Sequence, residues 1–464
     1  MKELLALSSA QEALKRIKSG DVSAEEFVKA WNARVAETDA SCHAWVVYDG
    51  EYALSQARAI DARRIKGEPP RALEGIPIGV KDIFNTRDFT ACMGSPLFDG
   101  HTPGNDARVV HSLRQANAVI PGKTVTAEFA VHTPGKTVNP YHPDYSPGTS
   151  SSGSAAAVAC AMVPLAMGTQ TAGSIIRPAS YCGVYGFKPS FGLIPRTGML
   201  KTTDTLDQVG LFSRAPEDLQ LLFDVVRVHG RDFPIAHERF SDPARQEVTG
   251  RPWRVGLVTD SLWVWNEASN HAREQIQNFA RAVAGPDIEV IPLAMPSSFN
   301  RAHVIHETIY NKTLAYYFKE EFAQHQLISG VLNDMIRGGQ TISSEQYQQA
   351  LDEQNKLSHE LDDLLANFDV ILTLSTAGAA PKWAASDIPD SCLIWTLCGA
   401  PVINLPVFHS PLGLPFGAQI LSRRYSDYKL LRFVEELRRR GLIDTARVAS
   451  RIAVEADADA TSPL

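Results

Sequence analysis

The sequence predicts an α/β protein: a single large domain with a central mixed β-sheet flanked by helices. Three observations carry this. Short apolar runs at 76–80, 255–258, 370–373 and 402–405 alternate with longer segments that read as helices. No repeat and no clear linker divides the 464 residues, so a length that would suit two or three average domains is read as one. Hydrophobic residues make up 44% and charged residues 21%, which leaves ample material for a core.

Taken in order, residues 1–65 form an N-terminal helical region. Ser9 caps its first helix, and Ser23 followed by Glu26 makes a capping box for the second. Residues 45–48 (WVVY) read as a strand among them. Residues 75–82 form a short apolar strand that delivers Lys81 near its end, and Pro77 marks it as an edge or irregular strand. A helix at 107–117 leads to a brief strand at 118–120. The small and apolar run 155–167 reads as one helix packed tightly in the core, with Ser154 near its start. After the strand at 255–258 comes a variable, mainly helical section, 260–368, with breaks at Gly330 and at Gly338 and Gly339. It is expected to shape a pocket or an oligomer contact. Strands at 370–373 and 402–405, a turn and strand at 413–420 and a helix at 428–440 follow. The acidic tail 455–464 is expected to fray.

A net charge of -7 argues against a nucleic-acid-binding surface. The six cysteines form no Cys-x-x-Cys pair, so neither zinc nor a redox dithiol is suggested, and their apolar surroundings favour buried free thiols in a reducing compartment. The N-terminus lacks a signal-peptide core, and 155–167 is too short for a membrane span. A cytoplasmic protein without membrane contact is expected.

The chain is organised around residues 147–189. A serine-glycine cluster at 148–154 (GTSSSGS) is followed by the apolar run and then by a second turn at 168–174 (GTQTAGS). Hydroxyls beside glycines suit places where backbone N–H groups approach a ligand. A flexible linker would have such glycines and serines, but not thirteen small or apolar residues behind them. Other motifs fail. The two PGKT copies need a glycine five residues before their own, where Asn117 and Ala130 stand. No Gly-x-Ser-x-Gly elbow surrounds Ser150 or Ser174. His303 and His306 have helical spacing but no accompanying carboxylate motif, so they read as partly exposed helix histidines.

Residues 75–86 (GIPIGVKDIFNT), 122–130 (GKTVTAEFA), 147–189 and 395–420 together resemble the amidase signature hydrolases. The resemblance covers most of the chain and implies that family's fold. It implies a Ser-Ser-Lys triad in which Ser174 is the nucleophile, Ser150 a relay behind a cis peptide bond, and Lys81 the base. The 24-residue spacing of Ser150 and Ser174 matches the family's. It also implies an oxyanion hole of backbone amides at Thr171, Ala172 and Gly173, and neither metal nor organic cofactor. A lysine serves as base only when neutral, which burial after Ile76, Ile78 and Val80 would favour.

Two departures stand out. Where many members have an aspartate four residues before the nucleophile and an arginine two after it, this chain has Gln170 and Ile176. An arginine follows at Arg177, before Pro178, which favours an extended backbone there. With its customary aspartate missing, Arg177 is expected either to bind an anionic substrate group or to serve as a structural arginine satisfying nearby carbonyls. The expected function is therefore a cofactor-free amidase of a small carboxamide, such as a half-amide of a short dicarboxylic acid. The alternatives are the glutaminase subunit of a tRNA-dependent amidotransferase and a non-catalytic interaction protein that kept the fold. The expected partner is a small-molecule amide alone, with no nucleic acid and with a homodimer as the open option.

Overall fold

The computed structural model describes residues 6–230, 238–383 and 390–451. The acidic tail lies outside them. The chain runs through helices α1 (Ala10–Ser19) and α2 (Ala24–Cys42), strand β1 (Trp45–Tyr48), helix α3 (Gly50–Ile65), β2 (Ile78–Lys81), α4 (Arg108–Gln115) and β3 (Gly122–Thr124). Then come α5 (Ser152–Ala159), β4 (Leu165–Gln170), α6 (Ile176–Cys182), β5 (Tyr185–Lys188), β6 (Gln208–Ser213) and α7 (Glu217–Val226). The remainder comprises β7 (Trp253–Leu257), α8 (Asn270–Val283), β8 (Ile288–Pro292), α9 (Ala302–Tyr317), α10 (Gly330–Thr341) and α11 (Ser344–Leu364). It closes with β9 (Val370–Leu374), β10 (Val402–His409), β11 (Pro415–Leu421) and α12 (Asp427–Arg439).

The strands form one eleven-stranded sheet in the order β1-β3-β2-β4-β6-β5-β10-β11-β9-β7-β8. It is mixed: β2 pairs in parallel with β3 and β4, β7 with β8 and β9, and the other neighbours are antiparallel. Helices flank it, making the single-domain architecture the sequence predicts. Local chemistry explains the ends of its helices. Ser9 accepts from the Glu12 amide, and Ser23 with Glu26 forms the capping box. Among the described residues no helix is long and apolar enough to cross a membrane. All six cysteines are free thiols; five are buried and Cys92 is half-buried.

Several sequence expectations are corrected. The run 155–167 is not one helix: α5 stops at Ala159, Ala161 turns to positive φ, and 165–167 open β4. Pro164 is the reason, since it has no N–H to extend a helix. The Ser154 hydroxyl does not cap α5 but donates to the Met167 carbonyl, tying α5 to β4. Strand β2 is not at an edge; it lies between β3 and β4, every residue buried. Pro77 is tolerated because Ile76 and Ile78, not Pro77, exchange hydrogen bonds with Val119. The strand expected at 118–120 forms instead at β3. Gly338 and Gly339 sit inside α10 rather than breaking it, while Gly330 begins it.

Candidate active site

Strand β2 carries Lys81 into the middle of the sheet, where it is fully buried. Its Nζ lies 2.8 Å from Ser150 Oγ, 3.0 Å from Ser151 Oγ and 2.9 Å from Thr169 Oγ1. All three neighbours are neutral hydroxyls. Burial holds the Lys81 pKa well below the ordinary lysine range, with only the more distant Asp207 opposing it. Lys123, on the neighbouring β3, is equally buried and also lowered by burial. Its amine, however, meets Asp82 at 3.0 Å and the Phe84 carbonyl at 2.8 Å, and the carboxylate opposes the shift. One PGKT lysine is thus a structural cation. Of the two neighbours, Lys81 is the one without a carboxylate in contact.

The Ser150 side of the site comes from the serine-glycine cluster, where the Thr149-Ser150 peptide is cis. Ser151 donates to the Thr169 carbonyl at 3.1 Å, so it accepts from Lys81. The cluster and β4 are thereby drawn onto the same amine.

Residues 171–174 turn sharply from β4 into α6, and three of their carbonyls are held. His306 Nε2 donates to Thr171 O at 2.8 Å, Thr396 Oγ1 to Ala172 O at 2.6 Å, and the Arg177 amide to Gly173 O at 2.9 Å. In a trans peptide the next N–H points opposite to the carbonyl. The amides of Ala172, Gly173 and Ser174 therefore face the other way, and among the described residues they donate to no protein acceptor. Ser174 is itself buried at the end of this turn. A cavity of about 460 Å³ meets the turn at Ala172 and is lined also by Arg177, His303, His306, Tyr310 and Asp390; Ser174 itself is not in its lining.

Gln170 explains how the turn holds without the aspartate many relatives carry. Its Oε1 accepts from the amides of Ile175 at 2.8 Å and Ile176 at 3.0 Å, and its Nε2 donates to Thr396 at 2.8 Å. A neutral amide thus caps α6 and clasps the short helical turn Leu393–Leu397.

Arg177 departs from expectation twice. It is helical, the second residue of α6, and Pro178 occupies a first-turn position whose N–H has no partner within the helix in any case. Nor does it lack a carboxylate: its Nη1 lies 3.4 Å from Asp390 Oδ2, and Nη2 donates to Thr149 O and Oγ1 at 3.2 Å. The carboxylate comes from a distant segment instead of from position 170. Asp390 presses so closely on Gly173 that a Cβ there would fall 1.8 Å from Oδ2.

Sequence reasoning missed Thr169, Asp390, Thr396 and the role of His306. Thr169, inside the second turn motif, was within reach of pattern reading. The others approach from sequence distances that only the fold closes. His306 is buried rather than exposed, and burial pushes its pKa down to about 4. His303 is half-buried beside the same cavity.

The Amidase family model matches residues 26–431, and the chain belongs to the amidase family, enzymes that hydrolyse amide C–N bonds. The glutamyl-tRNA(Gln) amidotransferase of Natranaerobius thermophilus has an A-type chain that is 29% identical over 92% of this chain and 94% of that protein. The corresponding chain of Thermobifida fusca is 42% identical over 56% of this chain and 54% of its own length. A solved chain from a vestigial protein complex, described as revealing the origins of an s-triazine catabolic enzyme, superposes with a TM-score of 0.83 at 25% identity, over 96% of this chain and 100% of that one. The peptide amidase of Stenotrophomonas maltophilia shares the fold, with a TM-score of 0.81 at 23% identity over 96% of this chain and 99% of its own. These names correct the expectation of a small-molecule partner alone and no nucleic acid. Relatives matched over 94–96% of their own length are subunits of an enzyme named for a tRNA.

Proposed function

We propose that this chain is the amide-hydrolysing, A-type subunit of a tRNA-dependent amidotransferase, acting through Ser174 as nucleophile, Ser150 as relay and Lys81 as base. The observation that carries the chemistry is Lys81, buried among three hydroxyls with no carboxylate in contact. A neutral lysine offers two N–H donors and one lone pair. Ser151 and Thr169 take the donors, which leaves the lone pair for the Ser150 hydroxyl.

The cycle follows. Ser174 Oγ attacks the amide carbon as its proton passes through Ser150 to Lys81. The oxyanion is received by the outward amides of the 171–174 turn. The C–N bond breaks as the proton returns to the leaving ammonia, and water then attacks the acyl ester by the same relay to give the carboxylate.

Arg177 and Asp390 place a guanidinium and a carboxylate side by side on the cavity wall. Such a pair suits an amide that bears both a carboxylate and an ammonium, as glutamine does at its amino-acid end. This supports a glutaminase over a hydrolase of simple half-amides, which carry no ammonium for Asp390.

The test is ammonia release from glutamine and from half-amides of short dicarboxylic acids, with and without a partner protein and charged tRNA. Release from glutamine that rises with the partner present, and a Ser174 acyl adduct in quenched protein, are expected. Release from half-amides alone, indifferent to any partner, would return the stand-alone reading. An adduct on another residue would remove Ser174 from the mechanism. Arg177→Ala should raise the KM for glutamine by about ten- to a hundredfold, the effect of one charge-assisted pair.

A further inference from the structure

A second cavity, of about 220 Å³, follows β11 and is lined by Arg245, Arg251, Arg423, Ser426 and Lys429, with Asp369 as its carboxylate. Arg251 holds Asp369 through both terminal nitrogens, at 2.7 and 2.8 Å, and Lys429 Nζ lies 3.6 Å from the same group. Arg245 reaches the Arg424 carbonyl at 3.2 Å and has Asp242 at 3.7 Å. Three of the four cations thus share two carboxylates.

Arg423 has no such partner. Its Nε is buried without a hydrogen bond, and among the described residues its guanidinium makes no ion pair. Burial, followed by the charge of Arg423, lowers the Arg245 pKa; burial lowers that of Lys429 too, against the pull of Asp369. The first turn of α12 stands at the same cavity, with Ser426 before it. Asp427, its first residue, is engaged by the amide and hydroxyl of Ser190 at 2.8 and 2.7 Å and does not line the cavity. The Tyr428 amide of that turn is already taken by Gln246 Oε1 at 3.1 Å, so it is the surplus of guanidinium groups that favours a doubly charged oxyanion.

We propose that this cavity is a phosphate-binding site, with Arg423 and Arg245 as its principal ligands. Its position adds meaning. Strands β4 and β11 are separated by four antiparallel pairings, so they run in the same direction and end at the same edge of the sheet. Ser174 follows the end of β4 and Arg423 the end of β11. Four strand spacings put the two sites about 20 Å apart along that edge. A phosphate carried by a larger ligand would be fixed there while its remainder lies along the edge that bears the amide-cleaving turn.

The experiment titrates the full chain with inorganic phosphate by calorimetry, at constant ionic strength set with chloride, and follows Tm alongside. Wild type should bind phosphate and gain Tm, and Arg423→Gln and Arg245→Gln should each weaken binding about tenfold, the loss of one charge-assisted contact. Arg423→Gln should leave the phosphate-free Tm unchanged or higher, since among the described residues the native side chain has no ion pair to lose and its Nε no hydrogen bond. No response beyond chloride in wild type, or undiminished binding in both variants, would overturn the site. A short single-stranded RNA distinguishes the source. Binding that inorganic phosphate displaces assigns the site to a nucleic-acid backbone, and phosphate binding without RNA binding assigns it to a small phosphate.

Discussion

His306 Nε2 donates to the carbonyl oxygen of Thr171 across 2.8 Å, joining helix α9 to the turn that bears Ser174. The acceptor is a carbonyl, so the proton on Nε2 is fixed, and with its pKa near 4 the ring is neutral at ordinary pH. The bond also polarises the peptide whose N–H belongs to Ala172, making that amide a better donor.

His306 is therefore a positioning residue. His306→Phe should lower kcat about tenfold while KM changes little, a fraction of the hundredfold or more lost with a direct oxyanion donor. His306→Gln, which keeps an N–H donor, should recover part of that loss. Steady-state kinetics on both variants check this. Equal losses in the two, or a change confined to KM, would remove His306 from this role.

Lys81 predicts opposite effects on activity and stability. Lys81→Met should cost about 10²–10⁴-fold in rate, the range for a general base. It should also raise stability at pH 7, because a buried amine without a contacting carboxylate is replaced by an apolar chain. The sign follows from linkage. The folded pKa lies below the unfolded value, so the unfolded chain binds more protons between the two, and stability rises with pH through that window. Denaturant melts across about pH 6–10, bracketing that window, should show a flatter profile for Lys81→Met than for wild type. A parallel profile would mean that Lys81 stays charged.

Gly173 and Asp390 give a steric test. A methyl at 173 would collide with the Asp390 carboxylate, so Gly173→Ala should reduce activity by about a hundredfold or more, as misplaced reacting groups do. Adding Asp390→Gly should restore part of kcat at saturating substrate if the clash is the cause, the lost ammonium contact being read separately in the KM of Asp390→Gly alone. A double variant no better than Gly173→Ala would locate the damage in the backbone instead.

How far the sequence could be read depends on the range of each interaction. The mixed sheet, the capping box at Ser23 and the arrival of Lys81 on a buried strand rest on local pattern, and all were legible. Pro164 was equally visible, but the twelve small or apolar residues around it outweighed it; their composition reflects close packing and says nothing of helix length. Pro178 misled for a related reason, since the rule that discourages helix before proline weakens within a first turn. The Asp390 partner of Arg177 and the His306 bond to Thr171 join residues 213 and 135 positions apart. No spacing rule reaches that far.

Gln170 has one more consequence. An aspartate clasping the first turn of α6 would take up a proton in acid and weaken its hold on Ile175 and Ile176. A carboxamide has no proton to gain over the working range of a protein, so the clasp on this turn keeps its shape from mildly acidic to alkaline solution. The limb of the pH–rate profile set by the base should then report Lys81 alone, undistorted by any loosening of this cap.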